Sequence, residues 1–488
     1  MGSRQLSFVF ADSPRGGEAE TVADVSAAES VLLRIAEGMP TEDPITPATD
    51  TCRLLERIAS LRNLATALFH VARNKGAPGV DGRSVAEVVG AAPTLLPQLR
   101  QTLLNGTYQP GDIRRVWIPK PGGGQRGLGI PNVIDRVVQQ AILHVLEFIF
   151  EPTFHDSSHG FRRHRGAHTA IAEAKTYVAA GYGVVVDLDL AKFFDRVNHQ
   201  RLLSRLGQRI ADQRLLRLIG CMLKAKVVLP DGTRVSTEEG TPQGGPLSPL
   251  LSNVVLDEFD QELQRRGLRF VRYADDCNIF VRSQRAGQRV MASIRRFLES
   301  RLRLQVNEEK SKVARPERIH FLGFRLGKTK KGPIAVHLSD RTKDRLNTRI
   351  RELTPRNWGR SVAECLGRAN RYLRGWVAYF RICTEEGAAI FQRFDAHLRR
   401  RMRAILIRQK KRPRHLFRHL RQCGVSVGDA AETAYCHRGP WHMSNTKGIN
   451  KAYRNAWFAE HLVSLWTSWQ NLNPRPPQVL VQRLLFET

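Results

Sequence analysis

The tetrapeptide Tyr273-Ala274-Asp275-Asp276 sits between two short apolar runs, Leu268-Arg269-Phe270-Val271-Arg272 and Cys277-Asn278-Ile279-Phe280-Val281. Runs of this length on both sides of a break predict a hairpin, with the acidic pair at or beside its turn. Adjacent carboxylates repel each other and are poor strand formers, so the pair must face water or a cation. A solvated acidic turn is one reading. The other is a metal site, because Mg²⁺ binds through one or two carboxylates together with substrate phosphates, as phosphoryl transfer requires.

A third carboxylate favours the metal. Val184-Val185-Val186-Asp187-Leu188-Asp189 runs on into Leu190-Ala191-Lys192-Phe193-Phe194-Asp195, the pattern of a buried strand that ends at a site. Asp189 is the candidate to join Asp275 and Asp276, while Asp187 reads as a supporting or surface residue. Carboxylates from separate strands suit a two-metal clamp on the attacking and leaving oxygens of an in-line displacement.

Charge points to the same class of substrate. Lys and Arg total 77 against 46 acids, a net +31. Such an excess is a phosphate-neutralising surface. Residues 1–50 hold nine acids against three bases, so the basic character belongs to residues 51–488, and 1–50 reads as an acidic, weakly ordered leader. With 488 residues, 42% of them hydrophobic, two or three domains are expected. Seven scattered cysteines without close pairs suggest a reducing cytoplasm. No apolar run reaches the ~18 residues of a membrane span, and no basic-then-apolar signal opens the chain, so no membrane partner is expected.

Arg53 to Arg73 predicts one helix, with Leu54, Leu55, Ile58, Leu61, Leu64, Leu68 and Val71 at helical spacing. Arg114 to Lys120 and Gln125 to Ile130 predict two strands joined by Gly122-Gly123-Gly124. No Gly-Lys-Ser/Thr follows, so this is a hairpin turn and not a phosphate-binding loop. Gln243 lies in a Pro-Gln-Gly-Gly loop whose small residues permit close backbone approach to a ligand. A helix is expected from Ser248-Pro249, with Leu251, Val254, Val255, Leu256 and Phe259 on its apolar face.

Beyond Asp340 the chain turns helical and basic. Ser361 to Cys383 predicts an amphipathic helix with Val362, Cys365, Leu366, Ala369, Leu373, Trp376, Val377 and Phe380 inward and Arg368, Arg371 and Arg374 outward. Phe391 to Arg421 carries twelve bases and the single acid Asp395, a helical surface suited to lie along RNA phosphates. His415, His419 and Cys423 share a four-residue spacing, but no second ligand cluster follows, which favours a basic helix over a zinc site.

Several linked motifs carry a family resemblance. Asn74-Lys75-Gly76-Ala77-Pro78-Gly79-Val80-Asp81-Gly82, Ile118-Pro119-Lys120-Pro121 through Arg126-Gly127-Leu128-Gly129-Ile130-Pro131, Gly240 through Pro249, the Tyr273–Asp276 tetrapeptide and Phe321-Leu322-Gly323-Phe324 occur in order. Together they resemble a group II intron-encoded reverse transcriptase fused to a maturase, of the short bacterial type without an endonuclease, from about Leu54 to Trp466. That resemblance implies an α+β right-hand polymerase, with fingers and palm on an antiparallel sheet over 51–335. An α-helical thumb over 336–410 and a helical maturase over 411–488 would follow.

The resemblance also implies roles. Asp189, Asp275 and Asp276 would hold Mg²⁺, and Lys310 would protonate the leaving pyrophosphate. Lys120, Arg126, Phe194 and Gln243 would bind the incoming dNTP, with the Phe194 ring excluding a 2′-hydroxyl. Arg162, Arg371, Arg399, Arg400, Lys410 and Lys411 would contact nucleic acid. The implied partners are the intron RNA, an RNA template and a DNA primer or target. Target cleavage is not expected to be encoded, and monomer and dimer both stay open. The implied activity is RNA-directed DNA synthesis with help in splicing and retromobility. A domesticated role in repair or defence, or a splicing cofactor with a vestigial polymerase, is the alternative. One departure stands out: Arg163-His164 occupies the place where the family usually shows Pro-Gly.

Overall fold

Hydrophobic periodicity organises most of what is seen. The computed structural model describes residues 51–474 except 120–122, 242–243, 330–331, 356, 358 and 360, so the acidic leader, Lys120 and Gln243 lie outside the described residues. The described chain divides into two compact units, 1–177 with 181–314, and 315–488 with 178–180. The first unit holds eight strands: β1 (Ile113–Pro119), β2 (Gln125–Ile130), β3 (Val184–Leu188), β4 (Val227–Val228), β5 (Arg234–Val235), β6 (Arg269–Tyr273), β7 (Asp276–Val281) and β8 (Lys312–Ala314). They form two four-stranded sheets, ordered β2-β1-β4-β5 and β6-β7-β3-β8. The second sheet is antiparallel throughout, as expected for the palm. In the first, β1 and β2 are the expected hairpin, with Ile118 opposite Arg126.

Register decides which side chains of the palm sheet share a face. Asp187 pairs with Asn278 and with Lys312, Val271 with Asn278, and Tyr273 with Asp276. Side chains alternate along a strand, so Tyr273, Asp276, Asn278, Asp187 and Lys312 belong to one side. Val184, Val186, Ile279, Val281 and Phe270 belong to the other. The helix Gln284–Phe297 packs on that second side, where a Cβ added to Gly287 would meet Val313, Val184 and Val281. The first side also carries buried Val185, Val271 and Phe280, the last against Tyr177, so only its end at Tyr273, Asp276 and Asp187 is left to do chemistry.

The predicted Arg53–Arg73 helix is two helices, Leu54–Ile58 and Leu61–Arg73. Ser60 caps the second by accepting from the Asn63 N–H. The apolar spacing runs through the break, which is why periodicity alone joined the two. Here Asn63 and the helix Val133–Phe150 build a buried imidazole chain. The His144 Nδ1–H donates to Asn63 Oδ1 at 2.8 Å, and the His70 Nδ1–H donates to His144 Nε2 at 2.9 Å. Burial first, then the neighbouring His70 and Arg163, push His144 down to about 4 from 6.5. Between those pH values the unfolded chain takes up a proton that the fold refuses. Stability should therefore fall as pH drops from about 6.5 toward 4, by on the order of 2–3 kcal/mol. Denaturant melts across that range check this, and His144→Gln should flatten the slope.

The second unit contains the strand pair β9 (Phe324–Lys328) and β10 (Ile334–Leu338) followed by helices. The helix Val362–Phe380 buries Cys365, Leu366, Ala369, Leu373, Trp376, Val377 and Phe380, with Ser361 as its cap, and exposes Arg368, Arg371 and Arg374. The basic segment after it is two helices, Ile390–Gln409 and Pro413–Gln422. Not all of its charge faces water. Arg401 is buried and donates to Thr354 Oγ1 and to the Thr354 carbonyl. Asp395 is buried as the acceptor for the Leu465 and Trp466 N–H groups. His419 bonds to the Tyr453 hydroxyl at 2.7 Å, so its ring is committed to packing. No described helix is long and apolar enough to cross a membrane.

Candidate active site on the palm sheet

The turn of the β6–β7 hairpin is Ala274-Asp275, since Tyr273 pairs with Asp276. Ala274 has φ +57°, a left-handed conformation that costs a non-glycine residue on the order of 1 kcal/mol. Something must hold it there. Arg272, fully buried, donates from Nη1 to the Ala274 carbonyl at 3.0 Å and to Asn253 Oδ1 at 3.0 Å. Its Nε and Nη2 form a two-pronged pair with Asp260 at 2.7 and 2.5 Å, and Nη2 also reaches Ser158 Oγ at 2.7 Å. Asp260 comes from the helix Ser248–Arg265. Asn253, from the same helix, donates to the Gly160 carbonyl at 2.9 Å, and a Cβ on Gly160 would stand 2.3 Å from Ala274 N. The turn is thus fixed from below by a buried ion pair and from the side by a glycine loop.

That loop explains Arg163-His164. His164 has φ +58°, so the chain keeps a glycine-like conformation where the sequence departs from Pro-Gly. Arg163 pairs with Glu147 at 2.7 Å. Arg162, expected on nucleic acid, is corrected by the structure. It is buried, with Nε on Glu151 at 2.9 Å and Nη1 on the His155 and Ser158 carbonyls. Its guanidinium is consumed in holding the loop.

The carboxylates converge by register. Leu188 pairs with Cys277 as the last pair of the ladder, so Asp189, one residue further on, and Asp276, one residue before Cys277, stand at the same end of the two strands. Asp189 is held in place where its N–H donates to Ser311 Oγ at 3.0 Å and its carbonyl accepts from the Asn307 N–H at 2.8 Å. Asp276 reaches water at its outer edge, but the surrounding protein desolvates it, and Asp275, Asp189 and Asp187 add repulsion. Together they push its carboxyl up to about 7. Asp275 is also raised, by burial first and then by Asp189, against the pull of Arg126 and Lys310. Asp187, raised to about 6 by burial, has Lys312 as its cross-strand partner. Lys310 Nζ lies 3.7 Å from Asp189 Oδ1.

These carboxylates are short of positive charge, which is what a divalent cation supplies. No group of three His, Cys, Asp or Glu side chains among the described residues is placed to hold a metal ion by itself. Mg²⁺ does not require one, because it keeps waters and takes substrate phosphates as ligands. The donor set fits.

Of the expected nucleotide-binding residues, Arg126 is exposed on β2 and acts electrostatically on Asp275. Phe193 is core, while Phe194 is half-buried and meets it edge-on, with ring centroids 5.3 Å apart. The Thr241 N–H donates to the Phe194 carbonyl at 2.7 Å, which ties the Gly240–Pro249 loop to this element. A Cβ on Gly244 would stand 2.3 Å from the Gly129 carbonyl oxygen. That glycine therefore serves approach to β2, where close approach to a ligand was expected. Ser248 and Pro249 open their helix as foreseen, though no side chain caps it. Sequence reasoning missed Arg272, Asp260 and Asn253 altogether. A signal was present: Asp257 and Asp260 interrupt the apolar stripe of Leu256, Phe259 and Leu263, and an acid on a buried stripe needs a buried cation.

Comparison with known proteins agrees with this geometry. Residues 118–326 match the family described as reverse transcriptase (RNA-dependent DNA polymerase), and 343–424 match the maturase-specific domain of group II introns. Protein YkfC of Escherichia coli is 35% identical over 321 residues, covering 57% of this chain and 84% of that protein. The group II intron-encoded protein LtrA of Lactococcus lactis is 29% identical over 333 residues, covering 54% of this chain and 55% of its own length. With both domains matched in order and most of a 35% identical relative spanned, the chain belongs to the group II intron-encoded reverse transcriptases that carry a maturase domain.

Proposed function

We propose that Asp189, Asp275 and Asp276 hold Mg²⁺ for RNA-templated DNA synthesis from dNTPs, and that the basic helices of the second unit bind the intron RNA whose splicing the protein assists. The carrying observation is the register, which pairs Leu188 with Cys277 and so brings Asp189 and Asp276 to the same end of neighbouring strands, with the carboxyls of Asp275 and Asp276 both raised. Mg²⁺ bound there would neutralise charge on the transferring phosphate and make the primer hydroxyl a better nucleophile. Arg126 and Lys120 would grip the triphosphate, Gln243 would support the dNTP, and Lys310, beside Asp189, would hand a proton to the departing pyrophosphate. Phe194 would lie under the sugar. Arg371, Arg399, Arg400, Lys410 and Lys411 would neutralise backbone phosphates, in a bacterial cytoplasm. The thumb and the maturase would occupy the second unit, with residue 411 as the boundary between them.

The test is primer extension by the purified chain, with a DNA primer on an RNA template. Extension that depends on Mg²⁺ and dNTPs is expected, and its absence overturns the reading. Phe194→Val should admit ribonucleotides, lowering dNTP-over-NTP discrimination about tenfold to a hundredfold. Unchanged discrimination would remove Phe194 from the sugar site.

A further inference from the structure

Four arginines of the second unit converge on a cleft of about 560 Å³: Arg399, Arg400 and Arg403 from the helix Ile390–Gln409, and Arg454 from across it. None of the lining residues is acidic. Like charges gathered here repel: Arg403 is pushed down by burial first and then by Arg399. The cleft is partly built. Arg403 is braced on the Tyr453 carbonyl at 2.8 Å, and Arg400 lies flat over Trp441, 4.0 Å from the ring centroid. Four guanidinium groups on a wall without an acid suit an anion.

The remaining walls narrow the choice. Asn445, Asn450 and Asn455 line the same cleft. A site for phosphate alone needs only donors, whereas an amide also offers an acceptor. Acceptors beside the arginines suit a ligand that carries donors as well as a phosphate, such as a ribose hydroxyl or a base edge. The volume falls within the ~300–1,000 Å³ range of small-ligand sites. That is too small for a duplex and suited to one unstacked nucleotide.

We infer that this cleft captures a single unpaired nucleotide of RNA, its phosphate on Arg399, Arg403 and Arg454 and its ribose hydroxyls on the asparagines. The inference rests on the reading of the second unit as the RNA-binding part. It adds that recognition there is of a single-stranded, extruded nucleotide and not only of backbone charge.

The test uses the full chain and a fluorescent single-stranded RNA oligonucleotide, with the same sequence as DNA and as an RNA duplex for comparison. Arg399→Gln/Arg454→Gln should weaken single-stranded RNA binding by about tenfold or more and flatten the salt dependence by at most about 0.7 log units per log unit, the share of one phosphate. Asn445→Ala/Asn450→Ala should keep the salt slope and lose preference for RNA over DNA. Circular dichroism and melting confirm that each variant folds. A folded arginine variant with wild-type affinity, or one that loses duplex binding equally, overturns the cleft. So does an asparagine variant with unchanged RNA preference. If the wild type extends primers and binds RNA while these variants behave as wild type, only this inference fails. If the wild type does neither, the functional reading itself fails.

Discussion

Asp276→Asn is expected to abolish primer extension, by about three orders of magnitude or more, without unfolding the chain. The acid stands at the same end of the two strands as Asp189 and is pushed up to about 7 by burial and by three carboxylates around it. An amide keeps the shape and removes one repelling charge, so without metal the variant should melt at the same temperature or higher. Magnesium separates this from a packing defect. A ligand that binds only the folded state raises its stability as RT ln(1 + [L]/Kd). The wild type should therefore melt later as Mg²⁺ is added, and Asp276→Asn should respond less or not at all. Retained extension by the variant would remove Asp276 from the chemistry. A variant that is inactive and also melts early without metal would make it a structural residue.

Arg272→Met should cost about 3–5 kcal/mol, among the largest losses a single substitution here can produce. The change leaves Asp260 as a fully buried, uncompensated charge and strips donors from Asn253, Ser158 and the Ala274 carbonyl. Arg272→Lys restores charge but not the planar fork, so it should recover only part. The informative variant is Arg272→Met/Asp260→Leu. Buried ion pairs are often no better than apolar pairs of similar volume, so the double variant should regain much of the stability. It should not regain activity, because the Ala274 carbonyl still lacks the donor that holds the Asp275 turn. Denaturant midpoints and extension rates on the three variants check this. Equal recovery of both quantities would mean that the ion pair only fills space.

The sequence carried some of this directly. The hairpin around Asp275 and the inward face of Val362–Phe380 were readable because strand and helix periods were uninterrupted. Arg272 was not readable as a core residue, because an arginine in an apolar run is ordinarily an edge charge. Its burial depends on Asp260, twelve residues earlier in the chain and on another element. Arg162 failed the opposite way. Its charge suggested nucleic acid, but Glu151 and two carbonyls absorb it. The Ser60 break was hidden because the leucine and isoleucine spacing passes through it. The four-arginine cleft was half legible: Arg399 and Arg400 stood out by charge, whereas Arg454 and the asparagines come from distant helices that no spacing rule brings together.

The alternation that sorts Asp189 and Asp276 onto one side of the sheet also sets how such an enzyme can be lost. Substitution must strike one of a few acids. Deleting or inserting one residue within β3, even a valine, turns every following side chain over, Asp189 included. Asp189 would then point into the helix-packed side, away from Asp276. For this catalytic centre, the length of a strand is as much a heritable functional trait as the identity of its aspartates.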